Sequence, residues 1–179
     1  MDNIVEAIWI GIELAAQFFF LKAILPEKLS GHQIVCVLLF QGLIIYAINN
    51  CGLLLFYGNP YIRKAVNLII GIIGAFLIFE GTWYSHIFAV VLCYFALGAV
   101  DTITLYGTAA LLDIALSELV WRKILYCVIV TVGKLLFLFF TWLFCYVKTK
   151  MMTQSLNQKK IMLICLFPLV SIFALLSVF

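Results

Sequence analysis

The sequence predicts an all-α, polytopic membrane bundle with six transmembrane helices, and three observations carry that prediction. Of 179 residues, 66% are hydrophobic and 11% charged, against about a quarter charged in soluble domains. Mean hydropathy is +1.22, too high for polar residues to cover a water-soluble globule. The apolar runs are continuous for roughly 17–25 residues, the length a helix needs to cross the hydrocarbon, where barrel strands would alternate with period two.

Six spans follow in order. The first covers 4–25 and stops at Pro26, Glu27 and Lys28. The second covers 33–48 and frays at Asn49, Asn50 and Gly52, with the apolar CGLLLFYG behind it extending the helix or dipping back at the surface. GNPYIRK (58–64) is a turn, since Asn-Pro biases the chain away from helix. The third span, 65–79, is short and ends at Glu80-Gly81. The fourth is 85–106, the fifth 124–147 and the sixth 160–179. Between the fourth and fifth, GTAALLDIALSELVWRK spaces Leu112, Leu116 and Leu119 as a helix would. It reads as a short amphipathic segment on the membrane surface or as an extension of a neighbouring span.

Orientation follows from lysine and arginine in the short loops. Lys22, Lys28, Lys148, Lys150, Lys159 and Lys160 fall on the side of the odd loops. Arg63, Lys64, Arg122 and Lys123 fall on the other. The odd loops are therefore expected in the cytoplasm and the N-terminus outside. The last apolar residue, Phe179, would then also be outside, and a seventh helix is expected beyond it.

Charge and cysteine usage exclude several classes. A net charge of +3, dispersed along the chain, gives no nucleic-acid footprint. The acidic start MDNIVEAIWIGIE is unlike a cleaved secretory signal. Cys36, Cys51, Cys93, Cys127, Cys145 and Cys165 lack metal-ligand spacing, and most sit in apolar runs as small filler. His32 reads as a solvated loop residue. There is no glycine-rich phosphate loop, HExxH or catalytic carboxylate dyad, so no cofactor and no metal are expected.

Ionisable groups inside a span are costly and usually face the bundle interior. Three qualify: Glu13, Asp101 and Lys134. At 1.5 Å per residue, Glu13 and Lys134 fall near the midplane, and opposite charge at one depth predicts an ion pair. Asp101, expected nearer the outer face, is the second candidate partner. A packing role and a signalling or transport role both stay open.

His86 and Cys93 are seven residues apart, as in the membrane peptidases that process precursors of cyclic quorum-sensing peptides. Those enzymes precede the histidine with arginines and a Gly-Gly pair, whereas here the approach is FEGTWYS. Seven residues of helix also separate the two by about 10 Å, too far for direct proton transfer. An interfacial histidine and a filler cysteine are therefore expected.

The stretch VTVGKLLFLFFTWLFCYVKTK, a short polar loop and KKIMLICLFPLVSIFALLSVF together resemble the sensor region of peptide-pheromone receptor histidine kinases. These are of the accessory-gene-regulator type and carry a GHKL-type ATPase domain. The resemblance rests on Lys134-Leu135-Leu136, the basic loop 148–160, Pro168-Leu169-Val170-Ser171 and the opening FFFLKAILPEK. It implies that 1–179 is a single transmembrane sensor domain of a two-component system, working as a homodimer, with the cytoplasmic kinase outside this sequence. It further implies a small extracellular peptide as partner, beside the lipid bilayer. Candidate contacts on the outer surface are Tyr57, Tyr61, Tyr106, Asp113, Glu118 and Trp121, although aromatics also gather there as interface belts. Two other readings compete: a small transporter or solute-binding subunit whose path Glu13, Asp101 and Lys134 would line, and the cysteine peptidase.

Overall fold

The computed structural model describes residues 3–50 and 60–152. They form six helices: α1 (Asn3–Ile24), α2 (Gly31–Asn50), α3 (Pro60–Ile78), α4 (Trp83–Leu111), α5 (Leu116–Trp121) and α6 (Lys123–Met152). Four of these, α1, α2, α4 and α6, are long and apolar enough to cross a membrane, while the apolar part of α3, Lys64–Ile78, is shorter. The sixth expected span, 160–179, and the stretch 51–58 lie outside the described residues.

Helix starts and stops follow local chemistry. Proline opens α3 at its first position, where the missing N–H costs nothing. The link from α3 to α4 turns at Gly81, whose φ of +155° suits glycine; a Cβ there would also meet Ser85 Oγ at 2.7 Å. At the far end of α4, Asp113 takes φ 52°. Its N–H donates to the Ala110 carbonyl at 3.3 Å, and the Ile114 N–H donates to the Ala109 carbonyl at 3.1 Å. This is a Schellman stop with aspartate in the usual glycine position.

The fourth helix therefore runs to Leu111, five residues past the expected end at Tyr106. The segment 107–123 divides: its first part extends α4, and its second forms the six-residue α5. The anticipated apolar stripe is only partly buried. Leu119 is fully enclosed against Ala109 and Ile129, whereas Leu112 is exposed.

Helix directions can be read from paired residues. Trp9 bonds Thr131 and Glu13 bonds Lys134, so α1 and α6 run parallel. In α4 and α6, Asp101 lies beside Lys134 and Ala96 packs with Phe137, an antiparallel arrangement. Antiparallel contact also joins α3 to α4, through Tyr94 with Asn67 and His86 with Phe76. The α1–α2 and α3–α4 connections meet at one end, where the Lys28 N–H donates to the Ile78 carbonyl and the Glu80 N–H to the Pro26 carbonyl, both at 2.9 Å. The α5 segment closes the opposite end.

Small residues fill the seams. Ala16, Ala75, Ala89, Ala96, Ala99 and Ala109 are buried, while Leu39, Phe40, Leu43, Phe139, Phe140 and Trp142 are exposed. Gly133 admits Thr104, whose Oγ1 would stand 2.7 Å from a Cβ there. Gly71 likewise admits Gln17 and Tyr94, and Gly74 admits the buried Gln41 amide. Close backbone approach through small residues, with large apolar groups turned outward, is how helices pack in lipid. Hydroxyls bond back into their own helices: Thr102 to the Gly98 carbonyl at 2.7 Å, Thr108 to that of Thr104 at 2.6 Å, and Thr141 to that of Leu138 at 2.9 Å. No water is then needed to satisfy them.

Candidate functional site: one lysine between two carboxylates

Lys134 is buried at the junction of α1, α4 and α6. Its Nζ donates a hydrogen bond to Glu13 Oε1 and lies 3.7 Å from Asp101 Oδ2. Thus the expected pairing of Lys134 with Glu13 forms, and Asp101 joins as the second acid. Helix geometry explains the meeting. Glu13 lies ten residues into α1 and Lys134 eleven into α6, so at 1.5 Å per residue both are about 15 Å from the same end.

Asp101 is deeper than expected. With α4 extended to Leu111 it stands ten residues, or about 15 Å, from that helix end. It is therefore level with the lysine rather than near the surface. The cause is the stop at Asp113, whose tolerance of a positive φ lets the helix continue through Gly107.

Aromatic and hydroxyl groups fix the site on one side. The ammonium lies 5.8 Å from the Trp9 ring centroid, within cation–π range. The Trp9 indole N–H donates to Thr131 Oγ1 at 2.8 Å, and Thr131 donates to the Cys127 carbonyl at 2.7 Å. On the other side Asp101 Oδ1 is enclosed without a hydrogen-bond partner among the described residues. The lysine side chain is 6% exposed, yet those of Glu13 and Asp101 are 35% and 30% exposed. One enclosed ammonium thus serves two acids on different helices, and Asp101 makes the looser contact.

His86 and Cys93 are not brought into a nucleophile–base arrangement. The helix holding both is continuous. His86 Nδ1 lies 2.8 Å from the Thr82 carbonyl oxygen and Nε2 lies 3.1 Å from that of Phe79. Its ring stacks on Phe76 at 4.6 Å. Both nitrogens face backbone carbonyls, and in either neutral tautomer one of them donates, so the histidine ties the α3–α4 turn. Cys93 is buried among Ala16, Ala96 and Phe137.

The outer-surface candidates disperse. Tyr57 lies outside the described residues, and Tyr61 is placed only by its position in the first turn of α3. Tyr106 and Trp121 are exposed, Trp121 to 83%. Glu118 on α5 pairs at 2.6 Å with Arg122, the residue just past that helix, and Asp113 forms the turn. Among the described residues, no three of His, Cys, Asp and Glu gather as a metal site.

Sequence reasoning missed Gln17 and Gln41, both buried amides inside apolar helices. The signal was available, because a polar amide in a span asks for a partner as an ion does. It also missed Trp9, whose role depends on a parallel α1–α6 contact that no local pattern encodes. Compared with family models, with curated proteins and with solved structures, the chain matches none.

Proposed function

We propose that this chain is a membrane-embedded sensor module whose helices cross the bilayer with the N-terminus outside. In this reading an extracellular ligand, a small peptide, changes helix packing around Lys134, and the change passes to a cytoplasmic histidine kinase. Support for the membrane setting comes from the inverted pattern of buried alanines and exposed large apolar residues. The α1–α2 and α3–α4 connections share one end, as successive spans require in either orientation; the N-terminus-outside orientation rests on the lysine and arginine distribution.

The observation that carries the sensor reading is the sharing of Lys134 between Glu13 on α1 and Asp101 on α4. A ligand can shift an equilibrium only if it binds one state better than the other. Two acids around one ammonium supply two states that differ by a small displacement of α1 against α4. The peptide and kinase rest on the resemblance carried by Lys134-Leu135-Leu136, the basic loop 148–160 and Pro168-Leu169-Val170-Ser171.

The test is topology together with output. Reporter fusions should place 148–160 in the cytoplasm, and the coding sequence after the codon for Phe179 should continue into a GHKL-type kinase. A chain that moves solute across vesicles by itself would favour the transporter reading, which the partial exposure of Glu13 and Asp101 supports.

A further inference from the structure

A second polar feature lies beside the ion pair. Glu13, Gln17, Asn67 and Tyr94, from α1, α3 and α4, line a small cavity of about 20 Å³ whose other walls are apolar side chains and Cys93. We propose that this cavity is a binding site for a single water molecule that donates hydrogen bonds to Asn67 and Glu13.

The size fits one guest. A water needs about 10–15 Å³ of this kind of space and two to four polar partners, so the cavity takes one and has no room for two. The lining needs a donor. Asn67 Oδ1 is enclosed and has no hydrogen-bond partner among the described residues. The Tyr94 hydroxyl, which could have served, already donates to the Asn67 backbone carbonyl at 3.0 Å. Glu13 offers a second carboxylate oxygen, because Lys134 engages only Oε1. The amide of Gln17 supplies a donor for the guest's own oxygen. An unmet carbonyl is costly at membrane depth, and a donor of water's size relieves it.

Charge decides between water and a monovalent cation of similar size. Lys134 already stands against Glu13, and a second cation would sit next to the ammonium in a medium of low dielectric, where like charges repel strongly. Water meets the same acceptors without that repulsion. Gly71 maintains the space: a Cβ there would meet Gln17 Nε2 at 2.9 Å and Tyr94 Cε2 at 3.1 Å, displacing the groups that form the wall. The inference is independent of what the protein senses.

The experiment is a structure of the full chain in lipid nanodiscs at a resolution that shows ordered water, with thermal unfolding in sodium, potassium and choline chloride. One density peak is expected within hydrogen-bond distance of both Asn67 Oδ1 and Glu13. It should vanish in Asn67→Leu, and the unfolding temperature should be the same in all three salts. If Asn67→Leu does not fold, Gln17→Met should weaken or move the same peak. A cavity without density would overturn the proposal. So would an unfolding temperature that climbs with sodium or potassium but not choline, since such mass action marks a bound cation.

Discussion

Asp101 Oδ2 stands 3.7 Å from the Lys134 ammonium while Glu13, on a different helix, takes its hydrogen bond. The two acids are therefore not equivalent. Glu13 carries the present contact and Asp101 is within one small shift of replacing it. That inequality gives the bundle a polar joint where α1, α4 and α6 meet, in place of a single fixed clamp.

The seam that carries the joint should be sensitive to added volume. A Cβ at Gly133 would meet Thr104 Oγ1 at 2.7 Å, Cγ2 at 3.3 Å and Cβ at 3.4 Å. Gly133→Ala should therefore destabilise the protein by about 1–3 kcal/mol, the usual cost of overpacking. Adding Thr104→Ala should recover most of that loss. Unfolding of the single and double variants in detergent reads both effects, and additive losses would show that the two residues do not touch.

Asp113 is a turn residue in this structure. Its positive φ costs an ordinary side chain roughly 1–2 kcal/mol, so Asp113→Val should lower stability by about that amount. Asp113→Gly should hold or raise it, and should leave any ligand response intact. Loss of response in Asp113→Gly with stability unchanged would return this aspartate to the list of ligand contacts.

Cysteine labelling separates the surface from the interior. Cys36 is exposed on α2, whereas Cys93 and Cys145 are buried. In the folded protein a membrane-permeant maleimide should label Cys36 before Cys93, and Cys93 only after unfolding. Cys93→Ala should leave function unchanged. Fast labelling of Cys93, or loss of function in Cys93→Ala, would revive the nucleophile reading that the turn contacts of His86 and the continuous helix between the two residues now oppose.

Much of this architecture could be read from the chain because the proposed lipid setting imposes simple rules. Long apolar runs must close their own backbone hydrogen bonds, which dictates helix, and a lysine at mid-span must find an acid at its own depth. Depth is counted along one helix, so Glu13 and Lys134 could be matched before any packing was known. Asp101 was placed too near the surface because its depth depends on where α4 ends. That end is set by the ability of Asp113 to adopt a positive φ, and aspartate at a turn does not announce which side of the turn is helix. His86 was underrated for a similar reason: one of the two carbonyls it faces, that of Phe79, comes from the far side of the α3–α4 turn, while the other belongs to Thr82 at the start of its own helix. The buried amides Gln17 and Gln41 depend on Gly71 and Gly74 across the bundle, pairings with no local trace.

Exchanging the charges of the central pair tests the account most directly. Lys134→Glu alone would place three acids together, and Glu13→Lys alone would set two ammonium groups against Asp101. Removing one partner of a buried pair commonly costs about 3–5 kcal/mol, and each single variant should lose stability on that scale. The double variant Glu13→Lys/Lys134→Glu should regain at least half of the summed loss, measured by unfolding in matched detergent or nanodiscs. If the two losses simply add, the ammonium of Lys134 is not held by Glu13, and the joint between α1, α4 and α6 does not exist as described.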